Sequence, residues 1–304
     1  MSTTRRQFLG QAALSAALAS LPWRAFAQGD AMQARKIPAS GEALPVIGMG
    51  TSGSFEVGQD TATRNTLREV LRRFVAGGGR LIDTAPTYST AEDVLGDLMV
   101  DAGVRDRLFI ATKLSGVYGR DSGLAQFEAS LTRLRTDRID LLQVHNLGDW
   151  EQQLALAREL KAQGRVRYVG LTHYRDDAHD ALAAAVKTAR PDFLQINYSV
   201  TQRAAERRLL PLAQDLGVAV LANRNFDDGA LFSRVAGKAV PAWAQDAGAD
   251  SWAQLFLKFA LSHPAVTVVI PATGKPHRQS ENLRAGFGAM LDTTQREALI
   301  AAVA

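Results

Sequence analysis

The sequence has no cysteine. Disulfides, thiolate nucleophiles and cysteine-based zinc sites are therefore excluded. No apolar run is long enough to make a convincing membrane-spanning helix. Neither sign of charge dominates: 35 Lys and Arg stand against 31 Asp and Glu, a formal net charge of +4. What is present is a chain of 304 residues, 46% of them hydrophobic and 22% charged. That is enough for one large domain with a substantial core and an ordinary soluble surface.

Much of the basic excess sits in one segment. Residues 1–28 read MSTTRRQFLGQAALSAALASLPWRAFAQ. Arg5-Arg6 precede Phe8-Leu9, a small-residue apolar stretch follows from Ala12 to Leu21, and Ala25-Phe26-Ala27 forms an A-x-A cleavage pattern. This segment, 1–27, resembles a bacterial twin-arginine (Tat) signal peptide. The resemblance implies the Tat export machinery as a partner, a periplasmic location and no stable membrane anchor after cleavage. Removing Arg5, Arg6 and Arg24 takes three charges from +4 and leaves +1. The basic balance therefore supports no nucleic-acid partner.

From residue 45 onward, short Val/Ile/Leu-rich runs alternate with longer segments of helical periodicity. The runs are 45–51, 81–83, 108–113, 139–145, 166–172, 192–197, 217–223 and 266–271. Helices are expected near 60–76, 90–101, 124–134, 151–163, 176–189, 202–215, 251–262 and 277–288, with a last one near 293–303. Eight such alternations fit an α/β fold, a (β/α)8 TIM barrel, better than an open sheet. GMGTSG after the first strand has its glycines at the wrong spacing for a dinucleotide fingerprint and opens no helix. Residues 35–45 carry turn chemistry at Ser40-Gly41 and are expected to form a hairpin closing the barrel bottom. No composition break interrupts 35–304, so this stretch is read as a single domain.

The chain is organised around LIDTAPTY, 81–88. A buried strand ends in Asp83, and Tyr88 follows five residues on. Ser89 and Glu92 have capping-box spacing, which starts a helix just after Tyr88. The next two strands end in Lys113 and His145. Parallel barrel strands open their carboxyl ends on one face, about 4.8 Å apart, so these four heads can converge. A phenol with its ordinary value of about 10 is a poor acid at neutral pH. Lys113 is expected to pull the Tyr88 pKa down. Asp83 would hold Lys113, and His145 would orient a substrate oxygen toward Tyr88. No nucleophilic serine or metal cluster accompanies them, so a hydride donor is the natural partner.

GMGT at strand one, DTAPTY with AEDVLG, ATK, QVHN and IPATGKPHRQSEN together resemble the aldo/keto reductase family over residues 35–290. The resemblance implies an NADP(H)-dependent reductase of a small-molecule carbonyl, with Asp83, Tyr88, Lys113 and His145 as catalytic residues and Tyr88 as proton donor. It implies no metal. Its cofactor contacts fall on Gly50, Thr51, Ser52 and Asp83, on Thr172, His173 and Gln195, and on Asn223, Arg224 and Phe226. Thr273 and Lys275 would approach the phosphates, Arg278 the 2′-phosphate, and Asn282 the adenine. A guanidinium suits phosphate on its own chemistry, and a helix start adds to the attraction. His173 stands where the family usually has asparagine, Asn223 where many members stack an aromatic ring, and Asn225 where proline is common. These departures implicate cofactor affinity more than reaction class. They also keep a second reading in view, an NADP(H)-binding sensor or regulatory subunit with slow or no turnover.

Overall fold

Eight parallel strands wrap into a barrel in strict sequence order. The structure is a computed structural model, and it describes residues 31–304. The twin-arginine segment lies outside the described residues. Met32–Ala304 form one compact unit.

A hairpin comes first, β1 (Ala34–Lys36) against β2 (Ala43–Pro45), antiparallel as expected. The barrel strands follow: β3 (Met49–Gly50), β4 (Leu81–Asp83), β5 (Phe109–Leu114), β6 (Ile139–His145), β7 (Val166–His173), β8 (Phe193–Asn197), β9 (Ala219–Asn223) and β10 (Val266–Val269). The helices between them are α1 (Thr61–Ala76), α2 (Ala91–Ala102), α3 (Arg120–Arg133), α4 (Trp150–Ala162), α5 (His179–Ala189), α6 (Leu209–Leu216), α7 (Ala230–Arg234), α8 (Trp252–Leu261), α9 (Pro276–Arg284) and α10 (Thr293–Val303). Four expected strands, 45–51, 192–197, 217–223 and 266–271, are shorter than read. Pro45 belongs to the hairpin. The barrel closes through isolated bridges, Ile47 to Val269 and Gly50 to Ala272, instead of a full ladder.

The strand period of two separates two cores. Outward residues such as Ile82, Ile110, Leu142, Leu171, Leu194 and Val220 pack under the helices. Inward residues Leu81, Phe109, Leu141, Tyr168, Phe193, Leu221 and Val268 fill the barrel floor. Ile37 and Leu44 of the hairpin join that inner cluster, so the hairpin plugs the bottom. Arg35 fixes it in place: its guanidinium donates to the carbonyls of Leu261, His263 and Val266. Gly170 marks how tightly the interior closes, since a Cβ there would lie 3.0 Å from Gln143 Cγ and 3.1 Å from Phe193 O.

The capping-box reading of Ser89 and Glu92 is corrected. Thr90 is the N-cap of α2, and no side chain caps it. Glu92 turns inward instead. It accepts from Thr112 Oγ1 at 2.6 Å, Ser130 Oγ at 3.1 Å and Arg133 Nε at 2.7 Å, tying α2 to β5 and α3.

Candidate active site

Two residues further along each strand, the inward side chains change from apolar to polar. Above Leu81, Ala111, Leu141 and Phe193 stand Asp83, Lys113, Gln143 and Gln195. Asp83 Oδ2 accepts from Lys113 Nζ at 2.7 Å, with both side chains buried. Asp83 Oδ1 accepts from Gln143 Nε2 at 3.1 Å and Gln195 Nε2 at 2.8 Å. One carboxylate thus gathers donors from β5, β6 and β8. Lys113 also donates to Thr84 O at 2.7 Å. Burial alone would lower the Lys113 amine, but the Asp83 carboxylate and the Tyr88 oxygen outweigh it, and the net direction is up.

Lys113 Nζ sits 5.2 Å from the centroid of the Tyr88 ring. His145 approaches the same ring edge-on, with centroids 6.1 Å apart and planes at 84°. The four sequence-assigned heads therefore meet. The expected direction for Tyr88 is corrected. Burial pushes the phenol above its ordinary value, and Lys113 opposes the rise without reversing it. His145 is lowered to about 3, first by burial and then by the charge of Lys113 and by His173, so the imidazole is neutral across the working pH range. Its Nδ1 lies 2.6 Å from Ser115 Oγ.

The remaining assigned residues lie around this patch in unequal states. The backbone N–H and hydroxyl of Thr51 both donate to Asp83 O, at 3.0 and 3.1 Å, while Ser52 is exposed. Gly50 lies against the segment just after β10, where a Cβ would meet Ile270 O at 3.0 Å. Thr172 Oγ1 donates to Gln195 Oε1 at 3.1 Å, and Asn223 Nδ2 reaches the same oxygen at 3.5 Å. His173 accepts from Arg175 N–H at 3.2 Å and stacks on Tyr174, with centroids 5.8 Å apart. Arg224 has a left-handed backbone (φ 53), pairs with Asp228 and lies 5.3 Å from the Tyr174 ring centroid. Phe226 is half-buried against Phe232, with centroids 5.1 Å apart. Thr273 Oγ1 accepts from the N–H of Lys275, the N-cap of α9. Lys275 and Arg278 are exposed, and Asn282 is buried on the same helix.

Three buried atoms at the end of β9 have no hydrogen-bond partner: Asn223 Oδ1, Arg224 Nε and Asn225 Oδ1. Such orphans are uncommon in folded proteins. Gln143 and Ser115 were missed in the sequence. The available signal was the strand period: each lies two residues from an assigned catalytic position and faces the same way.

The aldo/keto reductase family profile matches residues 46–302. The chain belongs to the aldo/keto reductase family. Methylglyoxal reductase YeaE of Escherichia coli (strain K12) is 31% identical over 258 residues, covering 82% of this chain and 88% of that one. An NADH-specific methylglyoxal reductase of the same organism is 28% identical over 199 residues, covering 55% and 59%. Among solved structures, the Klebsiella pneumoniae aldo/keto reductase in complex with NADP and acetate superposes with a TM-score of 0.73 at 26% identity. It covers 86% of this chain and 93% of its own.

Proposed function

We propose that this chain is an NADP(H)-dependent oxidoreductase that reduces an aldehyde or ketone to an alcohol. The observation that carries the proposal is the meeting of Asp83, Lys113, Tyr88 and His145 at the mouth. His145 orients the carbonyl oxygen. Tyr88 donates its proton to that oxygen. Lys113 stabilises the phenolate left behind, and Asp83 holds Lys113 with the help of Gln143 and Gln195.

Bound NADP(H) would supply the hydride that the carbonyl carbon receives. The residues fit such a group. Asn223, Arg224 and Asn225 offer buried polar atoms that lack partners. Lys275 and Arg278 offer exposed cations at a helix start. We assign the 2′-phosphate to Arg278 and the adenine to Asn282. Gly50, Thr51, Ser52, Thr172, His173, Gln195 and Phe226 would border the nicotinamide, and Thr273 the adenosine phosphates. Because one relative is NADH-specific, the test of Arg278 is comparative. Arg278→Ala should weaken NADPH binding far more than NADH binding, and equal weakening would remove the assignment.

The activity test is NADPH oxidation with a panel of aldehydes, methylglyoxal first because a relative is named for it. Turnover that vanishes in Tyr88→Phe is the expected result. Tight cofactor binding with no turnover on any carbonyl would favour the sensor reading, which the amide at Asn223 supports. Residues 1–27 support export by the twin-arginine route to the periplasm. Replacing Arg5 and Arg6 by lysine should block export, and normal export of that variant would end the idea.

A further inference from the structure

His145 is held from behind by a chain of hydroxyls. Ser115 Oγ lies 2.6 Å from His145 Nδ1 and 3.1 Å from Thr87 Oγ1. Ser115 directly follows β5, and Thr87 lies in the loop after β4. Ser115 is itself clamped. Its N–H donates to Gln126 Oε1 at 2.7 Å, and its carbonyl accepts from Gln126 Nε2 at 2.9 Å. Gln126 sits on α3, so the outer helix layer sets where the Ser115 hydroxyl stands.

A neutral imidazole carries one N–H, on one nitrogen or the other. Ser115 has one hydroxyl proton and two neighbours that could accept it. An unprotonated Nδ1 is a stronger acceptor than an alcohol oxygen and would draw the Ser115 proton to itself. Thr87 is exposed, and its hydroxyl can donate inward to Ser115 while its oxygen faces solvent. The bonds then run one way, Thr87 to Ser115 to His145, and each polarises the next. In that arrangement Nδ1 would be without a proton, and Nε2 would carry it.

We propose that Ser115, backed by Thr87, is a positioning residue that fixes His145 as the Nε2–H tautomer, a neutral donor aimed at the substrate oxygen. The aim of that donor rests on the carbonyl-reductase reading; the tautomer does not. With the proton on Nδ1, His145 would present a lone pair to a carbonyl oxygen and repel it. The tautomer is thus a requirement of the site and not a detail of it.

Nitrogen-15 NMR of the imidazoles in the whole chain tests this, with the His145 signals assigned by their loss in His145→Gln. In the wild type, Nε2 should carry the proton and Nδ1 should be bare. Ser115→Ala should give a mixture of tautomers, Ser115→Thr should restore the single form, and Thr87→Ala should shift it partway. A proton on Nδ1 in the wild type, or an unchanged spectrum in Ser115→Ala, would overturn the assignment. With a reducible aldehyde, Ser115→Ala should lower kcat about tenfold with cofactor affinity unchanged. An equal loss of cofactor affinity would mean general damage and count against the proposal. The spectrum reads the free protein. Failure on every carbonyl would therefore sink the reductase reading and still leave the tautomer decided.

Discussion

The two ends of this barrel are built on opposite principles. At the floor, polar groups are matched. Asp140 accepts from the Ile110 N–H at 2.8 Å and pairs with Arg105 and Arg167 at 3.3 and 3.0 Å. Asp192 takes Lys161 at 2.6 Å and the Val169 N–H at 2.8 Å. The Tyr168 hydroxyl donates to Glu42 at 2.9 Å and lies 2.7 Å from the Ser40 hydroxyl. At the mouth, Thr84, Gln143, Asn223, Arg224 and Asn225 all bury a polar atom with no partner. The other orphans, on Arg64, Gln153 and Gln279, lie in the opening turns of α1, α4 and α9, which start at the mouth. None of the orphans recorded among the described residues is at the floor. Unmet hydrogen bonding is thus confined to the end where chemistry gathers in this fold. The floor holds the barrel together, and the mouth keeps capacity open.

The sharpest way to break that contrast is a paired substitution. Tyr88→Phe at the mouth should lower kcat by roughly a hundred- to ten-thousand-fold with little change in melting temperature. Phe193→Ala, at the centre of the floor aromatics, should destabilise by about 3–5 kcal/mol with kcat nearly intact below the melt. Steady-state rates and thermal melts on the same two proteins decide it. Both variants losing stability alike would erase the division.

Acid stability gives a smaller test. His145 in the folded chain titrates at about 3, below its ordinary 6.5. Between those values the unfolded chain binds a proton that the folded chain refuses. The stabilising contribution is complete above pH 6.5, is lost as pH falls, and is gone below about 3. His145→Gln should therefore lose less stability than the wild type over that window, as measured by denaturant midpoints. Parallel curves would show that the imidazole is not buried neutral.

The smallest expected effect is at Gln143. Gln143→Leu removes a donor to Asp83 together with the orphan Oε1. It should hold or raise stability by about 0.5–1 kcal/mol while lowering activity several-fold. A clear loss of stability would mean that this amide serves the frame and not the site.

Much of this was legible in the residues. The strand ends carrying Asp83, Lys113 and His145 could be placed because each closes an apolar run of fixed period. What failed was whatever depends on distant neighbours. Ser89 and Glu92 have the local spacing of a cap, but the partners of Glu92 include Ser130 and Arg133, far along the chain. The charge of Lys113 beside Tyr88 could be foreseen, whereas the burial that outweighs it could not. Strand one ended early because closure depends on bridges to the last strand, a contact no local pattern records. The polar layer that steadies Asp83 needed the barrel to bring Gln195 across from β8.

The hairpin has a consequence for synthesis. Arg35 leaves the ribosome early, yet the three carbonyls that receive it belong to residues 226, 228 and 231 positions later. Its socket does not exist until nearly all the chain has emerged. A product that stops short of these residues carries an arginine with nowhere to dock. Docking of the Arg35 guanidinium thus requires the chain as far as Val266.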